Sequence, residues 1–131
     1  MVTHPAITEL TAETFDRLTG QGDNRRKRDR RPYRVLQWAA PCPEAGLPKP
    51  KAYRQIRCDD ISRAGVSYFT NQPPLHEFLI IGLGTGAATI YVECRVANCV
   101  RVDQPGGAFR IGCEFVKRVE LSPTDQPCMA R

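Results

Sequence analysis

Arg30-Arg31-Pro32-Tyr33-Arg34 sets guanidinium groups at both ends of a five-residue stretch, with a third between them, directly before the apolar run that begins at Val35. Further along, Asp60-Ile61-Ser62-Arg63-Ala64-Gly65 brings a carboxylate, a hydroxyl and a glycine onto one short segment. A guanidinium is a planar fork of donors. It pairs bidentately with phosphate oxygens or with guanine O6/N7, and its flat face stacks on a purine. Lysine offers only a point charge, which accounts for arginine at both Arg30 and Arg34. Ionised Asp60 only accepts, and so complements the adjacent N1–H and N2–H donors of guanine. Ser62 can supplement it, and Gly65 admits a close backbone approach or a positive φ that a side chain would forbid. The two segments together suit an anionic ligand that carries hydrogen-bonding bases.

Few other residues offer chemistry. The six cysteines, at 42, 58, 94, 99, 113 and 128, include no Cys-x-x-Cys and no Cys/His pairing at zinc-ligand spacing. Cys58, Cys94 and Cys113 sit in apolar runs, where cysteine acts as a small hydrophobe, so free structural thiols and no metal are expected. His4 and His76 lie far apart, and no Ser/His/Asp or Cys/His arrangement stands out, so no catalytic residue and no enzyme activity are expected. "GLGTGA" lacks the Lys-Ser/Thr of a phosphate loop, and no helical pattern follows it; it reads as a glycine-rich hairpin. The net charge of +5 and pI near 9.1 favour anionic partners without choosing among nucleotide, nucleic acid and anionic lipid.

The elements that must position these residues change period along the chain. "ITELTAETFDRLT", residues 7–19, reads as a short amphipathic helix that Gly20 stops. "GQGDNRRKRDRRP" reads as a flexible basic arm in which like charges repel. Six strand candidates follow: "YRVLQWAA", "YRQIRC", "GVSYFT", "EFLIIGLG", "ATIYVECRVANCVRV" and "FRIGCEFVKRV". Turn residues separate them and leave no room for crossover helices. An all-β fold is expected, a six-stranded antiparallel barrel with a short N-terminal helix and the flexible arm. The longest run should bend or bulge near Ala97–Asn98. Trp38 is assigned to the core. The division expected is an N-terminal helix and linker (1–24), a barrel domain that includes the arginine arm (25–120) and a C-terminal tail (121–131). Neither a membrane span nor a secretory signal is apparent, which predicts a cytoplasmic protein.

The ordered pair R-x-x-x-R (Arg30 to Arg34) and D-x-S-x-x-G (Asp60 to Gly65) resembles the signature of the PilZ domain family, and "RIGCEFV" resembles that family's last core strand. The resemblance covers about residues 25–120. It implies a split six-stranded β-barrel that binds the bacterial second messenger cyclic di-GMP, with no other cofactor. The implied contacts come from Arg30, Arg31, Arg34, Asp60, Ser62 and Gly65. With no output domain fused, the implied receptor acts through an unidentified protein partner. The chain departs from the family in the long proline-rich loop Pro41–Lys51 and in a tail of only twelve residues after Val119, where many members carry a helix. Plainer readings stand beside this one. The arm can be a solvated basic segment, Asp60 and Ser62 can bond their own turn, and Arg31 can face solvent. Rival functions are a nucleotide-free protein-interaction adaptor and a basic barrel for RNA or single-stranded DNA. The low aromatic content, 8%, disfavours the nucleic-acid reading.

Overall fold

The computed structural model describes residues 9–20, 30–104 and 107–127. Of the expected basic arm, residues 20–32, the stretch 21–29 lies outside the described residues.

Seven strands follow one short helix: α1 (Ala12–Thr19), β1 (Arg31–Pro32), β2 (Leu36–Pro41), β3 (Arg54–Ile61), β4 (Gly65–Thr70), β5 (Phe78–Leu83), β6 (Ile90–Gln104) and β7 (Gly107–Val119). All pairings are antiparallel, in the order β3–β2–β5–β6–β7–β4, and β4 pairs back onto β3 to close a six-stranded barrel. The two-residue β1 is an extra strand on β3, with Arg31 opposite Ile61 and Pro32 opposite Asp60. The six strands read from alternation are the six of the barrel. Period-2 alternation places Cys58, Tyr68, Ile81, Val92, Cys94, Ile111 and Phe115 inside, where they form the main core. A second apolar cluster of Ala40, Tyr53 and Ile80 gathers Trp38, Tyr91, Val119 and Leu121 around it. Trp38 is therefore partly buried in a satellite cluster instead of the main core.

β6 carries the expected irregularity, a register shift between Val96 and Asn98. Beyond Val96, whose N–H bonds the Glu77 carbonyl at 2.8 Å, β6 pairs only with β7 among the described residues. "GLGTGA" is a hairpin connection from β5 to β6, with Gly84 and Gly86 at positive φ (102° and 56°). A buried polar knot fixes its root. Gln37 accepts from the Gly84 N–H at 2.7 Å and returns a bond to the Gly84 carbonyl at 3.1 Å, while the Tyr33 hydroxyl donates to Gln37 Oε1. After Val119 the described tail holds only a 3₁₀ turn, Pro123–Asp125. No helix among the described residues is long and apolar enough to cross a membrane.

The helix begins later than the expected 7–19, of which residues 7 and 8 lie outside the described residues. Thr11 caps it, its hydroxyl accepting from the Thr14 N–H at 3.1 Å, so the backbone enters helical geometry only at Ala12. Gly20 ends it in the left-handed conformation, φ 70°, as its sequence position suggested. Phe15 is fully buried in the barrel core, with Leu10 and Leu18 beside it. Such a side chain contributes about 1.5–3 kcal/mol of burial. Arg31 holds the helix in place. Its guanidinium lies 4.4 Å from the Phe15 ring centroid, and Nη1 donates to Asp16 Oδ1 at 3.1 Å and to Thr19 Oγ1 at 2.8 Å.

Arg31 is thus a docking residue for α1, with its side chain almost wholly buried. Arg31→Ala should lower stability by about 2–3 kcal/mol, the scale of a lost charged hydrogen bond plus a cation–π contact. The check is the urea midpoint of unfolding. An unchanged midpoint would show that the helix docks on its apolar residues alone.

Candidate functional site

Both motif arginines meet carboxylates at the same stretch of β3. The backbone sets the first motif against that strand: the Tyr33 N–H bonds the Asp59 carbonyl, and the Cys58 N–H bonds the Val35 carbonyl, each at 2.9 Å. Tyr33 is buried in the core, which turns Arg34 outward. Arg34 Nε then sits 2.9 Å from Asp59 Oδ1 and 3.3 Å from the Asp59 carbonyl. Arg30 reaches Asp60, with Nε 3.1 Å and Nη2 3.0 Å from Oδ1.

Asp59 and Asp60 are neighbours in sequence, so regular alternation would turn them to opposite faces. A bulge prevents this. Cys58 pairs with Tyr68 and Ile61 with Val66, so β3 advances three residues while β4 advances two. Both carboxylates emerge on the outer face opposite Ser67. Ser67, fully buried, satisfies the bulge: its hydroxyl accepts from the Asp60 N–H at 3.2 Å and donates to Asp60 Oδ1 at 2.7 Å.

Arg110 of β7 joins the two acids, with Nε donating to Asp59 Oδ2 at 2.9 Å and Nη2 to Asp60 Oδ2 at 3.0 Å. Burial alone would raise the Asp60 carboxyl. The hydrogen bonds from Arg30 and Ser67 and the charges of Arg30 and Arg110 outweigh it and hold the group below the usual aspartate value. The bond to Asp59 chiefly, with the Asp60 charge adding to it, strengthens the hold of Arg110 on its proton. The cluster brings three guanidinium groups to two carboxylates.

Two open clefts flank Arg110. One, of about 410 Å³, is bordered by Arg30, Ser62, Gly65, Ser67 and Asn98. The other, of about 510 Å³, is bordered by Arg34, Arg57, Asp59 and Phe69.

The sequence-derived residues therefore divide. Arg30, Arg34 and Asp60 converge in one ion-pair cluster. Ser62 borders the first cleft but its hydroxyl accepts from the Ala64 N–H at 3.1 Å, a turn bond of its own, so the hydroxyl that bonds Asp60 is Ser67. Gly65 has ordinary φ. Its role is close approach, since a Cβ there would lie 2.2 Å from the Cys113 carbonyl oxygen on β7. Arg31 points away, into the helix contact. Asp59, Ser67, Arg57, Phe69 and Arg110 were not singled out by sequence. Two signals were available: the Asp-Asp doublet, and an outward-facing arginine in the strand that pairs with β4.

The three core cysteines offer no ready nucleophile. Burial pushes the Cys58 and Cys113 thiols up to about 12, and Cys94 is raised too, so none is a ready thiolate. Comparison of the chain with protein-family models, with curated proteins and with solved structures finds no match.

Proposed function

We propose that this protein is a cyclic di-GMP receptor that controls a partner protein through the surface it presents with and without the nucleotide. The observation that carries the reading is the convergence of Arg30, Arg34 and Arg110 on the Asp59–Asp60 pair between two clefts. In the free protein the carboxylates hold the two motif arginines in place. Their side chains, 45% exposed for Arg30 and 73% for Arg34, have room to exchange a carboxylate for a phosphate. When Arg30 turns to a phosphate, Asp60 Oδ1 regains acceptor capacity for the adjacent donors of guanine. Charge-assisted bonds thus replace one another, and the net gain comes from the base contact and from neutralising the ligand's two negative charges.

A second reading, an adaptor that binds no nucleotide, draws on the same ion pairs, because each motif arginine already has a carboxylate partner. Calorimetric titration with cyclic di-GMP, with GTP and GMP as controls, decides between the two. Heat of saturable binding by cyclic di-GMP alone supports the receptor, and its absence supports the adaptor.

Arg34→Ala should weaken cyclic di-GMP about ten- to a hundredfold, the equivalent of a charged hydrogen bond worth roughly 1.5–3 kcal/mol. Because Arg34 is well exposed, the unfolding midpoint should stay put. Wild-type affinity in that variant would remove the first motif from the site.

Asp60→Asn separates base reading from anion attraction. A site that only collects phosphate gains affinity when a negative charge is lost. A site that reads guanine loses roughly 1–3 kcal/mol, since an amide turned to accept from one donor presents its NH₂ to the other. We expect the loss, with heparin binding little changed. Tighter cyclic di-GMP binding by Asp60→Asn would leave an anion site without base recognition.

The depressed Asp60 carboxyl also fixes the pH response. A carboxylate favoured in the folded state contributes stability that is complete above its unfolded value, about 4, and is lost as pH falls through the lower folded value. Binding that depends on this carboxylate should therefore be flat from about pH 8 to about pH 5 and fall only in stronger acid. Affinity that drops sharply near pH 6 would point to a different titrating group.

A further inference from the structure

Arg110 stands between the two clefts and belongs to the lining of both. Its N–H bonds to Asp59 and Asp60 lie in the guanidinium plane, so the two acids take its edge and leave its flat faces uncovered by them. Strand register sets the spacing of the clefts. Ser67 pairs with Gly112 beside the first cleft, and Phe69 pairs with Arg110 beside the second. These rungs are two residues apart along β4 and β7, about 7 Å. Arg110 itself lies on the second of these rungs, and its side chain lines both clefts. The second cleft also has an aromatic floor. Phe69 is 8% exposed, and the Arg57 guanidinium lies 5.7 Å from its ring centroid. The first cleft is shaped by Gly112, where a Cβ would come within 2.7 Å of Asn98 Oδ1.

We propose that the two clefts take the two purine bases of a single cyclic dinucleotide, one on each side of the Arg110 guanidinium, with Arg57 and Phe69 bounding the second base. This rests on the reading of the site as a guanine-nucleotide receptor. It adds a binding stoichiometry of one and a base contact supplied by residues outside both sequence motifs. Arg57 acts here as a flat stacking surface. Lysine, which has charge but no such face, does not replace it.

The test is calorimetric titration of the full chain with cyclic di-GMP, for the wild type, Arg57→Ala and Arg57→Lys, together with nuclear Overhauser contacts from the Phe69 ring to guanine H8. Arg57 is exposed, so neither substitution disturbs the core. One nucleotide per chain is expected, with both variants weakened about tenfold at unchanged stoichiometry, the scale of one desolvated stacking contact, and a Phe69-to-H8 contact in the wild type. Two nucleotides per chain, full affinity in either variant, or a Phe69 ring with no guanine contact would overturn the two-cleft arrangement while leaving the receptor reading intact. Failure of the wild type to bind cyclic di-GMP at all would overturn both.

Discussion

The surplus residue between Cys58 and Ile61 is the constraint on which the outer face of the barrel depends. Without it, alternation from the buried Cys58 would turn Asp60 into a core of Tyr68, Ile111 and Phe115, where an unpaired carboxylate costs several kcal/mol. With it, two like charges stand side by side on one surface, an arrangement that repels unless cations divide it. Arg110 does so from the facing strand, with one donor to each acid, and Arg30 and Arg34 close the outer sides. The local backbone irregularity, the buried serine that satisfies its free amide and the three arginines are thus one unit. Altering any member changes the electrostatic problem for the others, so their energetic effects will not add.

Arg30 and Arg31 link this unit to the far side of the wall. They are consecutive, yet one side chain reaches Asp60 on the outer face and the other reaches Phe15 and Asp16 on the helix. The strand between them is only two residues long and is held to β3 at Ile61 and Asp60. A force on the Arg30 side chain therefore acts on a backbone that also anchors the buried Arg31. Residues 9–20 and the site are tied together through this short strand. Leu10 and Arg63 add a second tie next to the β3–β4 turn: the Leu10 N–H donates to the Arg63 carbonyl, and Arg63 Nε donates to the Leu10 carbonyl, each at 2.7 Å.

The barrel was legible because its signal is repeated many times. Each of the six strands is a run rich in Val, Ile, Tyr or Phe, and each gap carries turn chemistry, so an error in one residue does not move the fold. The irregularity near Ala97–Asn98 could be placed because that run was too long for one straight strand. The bulge at Asp59 could not, since the segment that holds it is short and looks regular. Sequence spacing found Arg30, Arg34 and Asp60, which are local to their motifs. It missed Arg110, whose relation to Asp59 depends on a β4–β7 register fixed far along the chain. Arg31, expected to contact the ligand or else to face solvent, packs on α1 instead of reaching the acids, a contact that local spacing does not encode. Ser62 and Ser67 could be separated only once the turn bond to Ala64 was seen.

The β6–β7 hairpin outruns the rest of the barrel. Past Val96, β6 has one strand neighbour among the described residues, and Val100 on this stretch is 49% exposed. An open strand edge of this kind is a template onto which another chain can add and grow into an aggregate. Here the template is poor. Ladder spacing breaks between Val96 and Asn98 and again between Arg101 and Gln104, so an incoming straight strand cannot keep its bonds in step over more than a few residues. Arg101 and Asp103, both exposed, place charges of either sign along the intervening run. The same irregularity that shapes the first cleft thereby protects the hairpin from uncontrolled self-assembly at high concentration.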